Sequence, residues 1–116
     1  MLWLQPHPRT YYGQVFVVSW DAALALRDVG AAFPLLLTNQ NAVSKQLEHV
    51  VVSFLRSHNL PMYAVKVPVD QQPQAAQQLG VAFVPQLRFF SRGEEAGRIT
   101  GSSSYDALYK LFNLPG

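Results

Sequence analysis

The stretch VDQQPQAAQQLGVAFVPQLRFFSRGEEAGRITG, residues 69–101, decides the fold. Asp70 is a cap-type residue, Pro73 stands where a first helical turn tolerates it, and Gly80 supplies a stop, so a short helix is expected over residues 70–79. Its glutamines, Gln71, Gln72, Gln74, Gln77 and Gln78, read as a polar helix face, too brief for a low-complexity tract. Residues 86–90, a turn at Ser91, Arg92, Gly93 and Glu94, and residues 96–100 read as strand, turn and strand. Gly101 ends the hairpin.

Working outward, residues 62–69 are rich in valine and alternate loosely with Lys66 and Pro68, which suits a parallel strand. Before them, Val43, Leu47, Val50, Val51, Phe54 and Leu55 form one helical stripe, with Asn41 placed to cap the first turn. Residues 33–38 are a continuous apolar run of strand length, expected to lie centrally with both faces buried. Residues 15–19 and 20–29 read as a strand and a helix stopped by Gly30. Downstream, Ser102, Ser103 and Ser104 offer a cap for a closing helix whose Tyr105, Leu108, Tyr109 and Phe112 share a face. The order is βαβαβαββα, an α/β fold with a mixed central sheet flanked by helices on both faces. Residues 1–13 read as an N-terminal extension and residues 14–116 as one domain.

That element order is common to several folds, and the residues narrow it. Val69-Asp70-Gln71-Gln72-Pro73, Leu79-Gly80-Val81-Ala82-Phe83-Val84-Pro85, Phe89-Phe90-Ser91-Arg92-Gly93-Glu94 and Thr100-Gly101 resemble the second half of thioredoxin in order and spacing. The resemblance covers about residues 14–113 and implies a thioredoxin-like fold. It also implies that Pro85 is a cis-proline, which Pro85 by itself does not indicate. In that family the turn leaves the backbone of the preceding residue, here Val84, free to pair with an extended client peptide.

Counting back from Asp70 without gaps sets the family's Cys-Gly-Pro-Cys-Lys onto Asn41-Ala42-Val43-Ser44-Lys45. The chain has no cysteine anywhere, so the thiolate that a helix N-terminus would activate is missing. The family's buried carboxylate is matched by Leu35 and its tryptophan before the motif by Gln40. Lys66 matches the family's strand lysine but, with no acid at position 35, reads as an ordinary surface residue. The resemblance therefore implies a member without thiol-disulfide chemistry.

Other chemistries find little support. Ser44 and His49 are five apart on a helix, about 140° around the axis, and no acid orients His49 or His58, so a nucleophile and base pair is not expected. His7, His49 and His58 lack metal-ligand spacing and read as surface residues; no metal or cofactor is expected. Gly93, Gly97 and Gly101 belong to the hairpin rather than to a phosphate loop. Nine Lys and Arg against seven acids give a net charge of +2, scattered rather than striped, so no nucleic-acid footprint is visible. The nearest cluster, Arg88, Arg92 and Arg98, reads as solvated edge charge. No apolar run approaches the roughly 20 residues needed to cross a bilayer, and the N-terminus lacks signal-peptide order, so a cytoplasmic location is expected.

These readings converge on a protein that binds another protein, as an assembly factor, chaperone or complex subunit. The expected face comprises Asn39, Gln40, Asn41, Ala42, Val43, Ser44, Phe83, Val84, Pro85 and Gly101. Pairing of edge strands into a homodimer is a second route. The competing reading is a glutathione or small-molecule binder, related to the transferases, in which Asn41 at the positive helix end would hold a carboxylate. Leu2, Trp3, Leu4, Tyr11 and Tyr12 either pack on the domain or form a docking surface of their own.

Overall fold

The computed structural model describes residues 13–101 and 105–112 of the chain. Nine elements follow in the expected order: β1 (Val15–Val17), α1 (Trp20–Asp28), β2 (Phe33–Thr38), α2 (Ala42–Ser57), β3 (Ala64–Pro68), α3 (Pro73–Leu79), β4 (Gln86–Ser91), β5 (Glu94–Thr100) and α4 (Tyr105–Leu111). The sheet runs β1-β3-β2-β4-β5. Strands β1, β3 and β2 are parallel, β4 is antiparallel to β2, and β5 is antiparallel to β4. The N-terminal aromatic segment and the serine cap at residues 102–104 lie outside the described residues.

Every residue of β2 is buried. Phe33, Leu35 and Leu37 enter one core with Trp20, Ala23, Val65, Val67 and Ala75, beneath α1 and α3. Leu36 enters the other with Leu47, Val51, Phe54, Leu55 and Leu108, beneath α2 and α4. This is why the strand reads as an unbroken apolar run: both of its faces are covered by helices.

In α2 the stripe packs as expected from Leu47 onward, while Val50 is half-buried and Val43 stays 41% exposed. The buried face runs through Ser44, Leu47, Val51, Phe54 and Leu55, which leaves Val43 beside it rather than on it. Phe54 is fully buried and makes ring contacts with His58, Tyr105, Tyr109 and Phe112. His58 is not the surface histidine its sequence position suggests. It is half-buried, with Nδ1 3.0 Å from the Phe54 carbonyl and Nε2 2.7 Å from the Tyr109 hydroxyl, and so ties α2 to α4. His49 is exposed.

Helix α3 starts later than the cap-type Asp70 suggests. Gln72 is the N-cap residue and makes no side-chain cap bond, Pro73 opens the helix, and Gly80 ends it in the left-handed region at φ 66°. The Gln72 side chain serves another element: its Oε1 accepts the Trp20 backbone N–H at 2.6 Å and its Nε2 donates to the Val18 carbonyl at 3.3 Å. Gln78 Oε1 accepts the Trp20 indole N–H at 2.9 Å. Two of the glutamines thus hold the start of α1 and are not merely a solvated face. The hairpin turns on Arg92 and Gly93, both at positive φ, with the strands reaching Ser91 and Glu94.

Two charged residues depart from their expected places. Arg88, read as edge charge, is only 3% exposed, because β4 is an interior strand and this residue faces the α1 and α3 layer. Arg92 and Arg98 are exposed. Lys66, read as unpaired, reaches Glu48 of α2 at 2.6 Å, with both side chains partly covered. The acid that pairs with it comes from the helix layer, not from β2.

Candidate functional site

The parallel strands β1, β3 and β2 all end on one side of the sheet, where open α/β sheets commonly carry their binding clefts. Two loops meet there. One leads from β2 into α2 through Asn39, Gln40 and Asn41; the other leads from α3 into β4 through Phe83, Val84 and Pro85. The antiparallel register pairs Leu37 with Gln86, and continuing it by one and two residues sets Pro85 opposite Thr38 and Val84 opposite Asn39. On the far side of β4, Gln86 pairs with Thr100 and the Gly101 N–H donates to the Pro85 carbonyl at 2.9 Å. The sheet therefore brings the predicted residues of both loops, and Gly101, to one end.

The first loop is held by its own side chains. Asn39 Oδ1 accepts the Asn41 N–H at 3.0 Å and the Ser44 hydroxyl at 3.0 Å, while Ser44 Oγ accepts the Asn39 N–H at 3.2 Å. Asn41 is the N-cap of α2, its Oδ1 accepting the Ser44 N–H at 2.8 Å; caps of this kind contribute about 1 kcal/mol. Ser44 is 1% exposed. Its hydroxyl is committed to Asn39, and no histidine is among its bonding partners, so it is not an activated nucleophile. Sequence reasoning found the Asn41 cap but missed the part played by Asn39, whose position two residues before a cap was the available signal for an Asx turn. Gln40, Asn41 and Ala42 are exposed, and Leu35 is an ordinary member of the core beneath α1.

In the second loop the Val84–Pro85 peptide bond is cis. Pro85 is buried, Val84 half-buried and Phe83 74% exposed. Among the described residues, no backbone hydrogen bond engages the Val84 N–H or carbonyl. The face thus carries exposed apolar side chains at Val43 and Phe83, main chain at Val84 without such a bond, and no charged residue between Asn39 and Ser44 or between Val81 and Gln86. No group of His, Asp or Glu among the described residues is arranged to hold a metal ion, and no helix among them is long and apolar enough to cross a membrane.

The fold and the cis-proline loop are those of the thioredoxin class, and the comparisons agree. The family model described as thioredoxin matches residues 42–113, and the chain belongs to that family. A thioredoxin of Chlamydia caviae is 40% identical over 48 residues, covering 41% of this chain and 47% of that protein. A thioredoxin of Chlamydia trachomatis is 31% identical over 72 residues, covering 62% and 59%. The chain thus spans about half the length of these curated relatives. Among solved structures, oxidised thioredoxin O2 of Arabidopsis thaliana superposes with a TM-score of 0.75 at 21% identity, covering 93% of this chain and 97% of that one. Fasciola hepatica thioredoxin gives 0.71 at 18% identity, covering 88% and 99%. At these identities the structural likeness concerns the fold alone.

Proposed function

We propose that this chain is a redox-inactive member of the thioredoxin family that binds another protein, as an assembly factor, chaperone or complex subunit, through the face at Asn39 to Ser44, Phe83 to Pro85 and Gly101. The observation that carries the reading is the contrast between the two loops. The positions of the family's thiols hold Asn41 and Ser44, whose side chains are consumed by internal hydrogen bonds. The loop beside them keeps main-chain groups at Val84 without a backbone partner among the described residues, and an exposed aromatic ring at Phe83. An extended segment of a partner pairs with such main chain as an added strand does, and Phe83 and Val43 favour apolar side chains in it. Because the face itself is uncharged, the segment it suits is uncharged as well.

Affinity purification of the tagged chain from its native cell, repeated with Val84→Asp, tests this. The substitution sets a carboxylate where the partner strand would lie; Val84 is half-buried and packs against the core beneath α1 and α3 from its margin, so the fold of the variant is checked alongside. The partner is expected to be lost and the circular dichroism unchanged. Retention of every partner by the variant would remove this face from the reading. A glutathione titration followed by NMR supplies the second arm: shifts confined to Asn41, Val84 and Pro85 would replace protein binding by small-molecule binding.

A further inference from the structure

The buried guanidinium of Arg88 takes no part in the face described above, yet two of its three bonds go to the two ends of the loop that forms it. Nη2 donates to the Leu79 carbonyl at 2.9 Å, and Leu79 is the last residue of α3. Nε donates to Gln86 Oε1 at 3.1 Å, and Gln86 is the first residue of β4. Residues 80–85, with Phe83 and Val84 among them, hang between these two points. Nη1 donates to Glu95 Oε1 at 2.9 Å, and Glu95 Oε2 in turn lies 2.7 Å from Arg98 Nη2. The β5 strand thus orients the guanidinium from behind.

We propose that Arg88 is the positioning residue of the partner-binding loop, clamping residues 80–85 at both ends so that Phe83 and Val84 are presented in one arrangement. The inference rests on the protein-binding reading for its purpose, but its geometry stands apart from it. An apolar side chain in this strand position would fill the same space without a directional bond to a helix-end carbonyl. A lysine would carry the charge with a single point of attachment rather than a planar fork. Only an arginine fastens three groups lying in different directions from one buried point. The other main-chain ties at the loop's ends are few: the Gly80 N–H to the Gln77 carbonyl at 3.3 Å, the Val81 N–H to the Ala76 carbonyl at 2.9 Å, and the Gly101 N–H to the Pro85 carbonyl at 2.9 Å. Held this way, the loop loses little further freedom when a partner binds.

Amide hydrogen exchange in the full chain separates a clamp from a general stabiliser. The reporters are the Val81 and Gly101 amides, each measured against the amides of the β2–β3 ladder. In Arg88→Leu the two loop reporters are expected to exchange about tenfold faster relative to that ladder. Photo-crosslinking to a partner from position 83 should fall in parallel. Uniform acceleration of all amides, or none, would overturn the proposal. Where Arg88→Leu folds poorly, Arg88→Leu with Glu95→Leu removes both charges of the pair and carries the same expectation. Return of the loop reporters to their wild-type ratio in that double variant would mean that Arg88 only neutralises Glu95. Arg88→Lys should leave the loop reporters fast, and full restoration by lysine would equally overturn the clamp. Fast loop reporters in a chain whose wild type gives no crosslink at position 83 would leave the clamp standing and remove the protein-binding reading.

Discussion

Phe54→Ala is expected to lower the stability of the chain by about 3–5 kcal/mol, the range for removing a buried aromatic ring. The ring is fully buried and stacks on His58 at 4.2 Å and on Phe112 at 5.6 Å, while Tyr105 and Tyr109 meet it edge-on. It lies between α2 and α4, which the His58–Tyr109 bond also joins, so the cavity would open between two elements rather than within one. Domains of this size have only about 5–15 kcal/mol in hand. Chemical denaturation followed by circular dichroism checks the loss. Phe54→Leu should recover much of it, since it restores most of the apolar volume. A loss below about 1 kcal/mol for the alanine variant would mean that the helical layer collapses onto the gap, at odds with a ring held from four sides.

The second large effect is expected at Arg88. Arg88→Met keeps the length and apolar stem of the side chain and removes its donors. The Leu79 carbonyl, Gln86 Oε1 and one oxygen of Glu95 then lose their partners. Breaking a buried ion pair from one side costs about 3–5 kcal/mol. Glu95 retains Arg98 and its side chain is 23% exposed, so the lower end of that range, about 3 kcal/mol, is the expected result. A companion Glu95→Leu substitution should return part of the loss, because no unpaired acid remains. Equilibrium unfolding of the single and double variants reads both values, and a neutral Arg88→Met would contradict the burial of the pair.

Much of this architecture was legible in the sequence because it follows from patterns that one element carries by itself. Residues 33–38 announced a two-faced strand, and β2 occupies those residues. Leu47, Val51, Phe54 and Leu55 announced one helix face, and all four are buried. The Asn41 cap, the Gly80 stop and the cis bond before Pro85 were likewise expected, the last from family resemblance alone.

What could not be read was which element lies opposite which. Lys66 is an unremarkable strand lysine until α2 brings Glu48 to it. Gln72 and Gln78 look like solvated amides until α1 sets Trp20 between them. Arg88 reads as edge charge because Lys and Arg commonly protect sheet edges, yet of the hairpin's two strands it is β5 that forms an edge, and β4 lies inside the sheet. Its alternation with Gln86 and Phe90, both buried on the same strand, was the one local sign that it points inward. The candidate site divided along the same line. Its position followed from motif spacing, whereas the bonding of Asn39 to Ser44 required the loop's geometry.

The central claim is that this chain meets a partner with the end of the sheet that carries the cis-proline loop. Phe83 and Val29 are equally exposed, at 74% and 75%, and sit at opposite ends of the sheet, since α1 runs back from the ends of the parallel strands to the start of β2. Replacing each in turn by a photoreactive phenylalanine analogue and irradiating the native cell compares two sites of equal accessibility. A discrete crosslinked protein from position 83, absent from position 29, is the predicted result. Equal products from both positions, or a product from position 29 alone, would contradict the account.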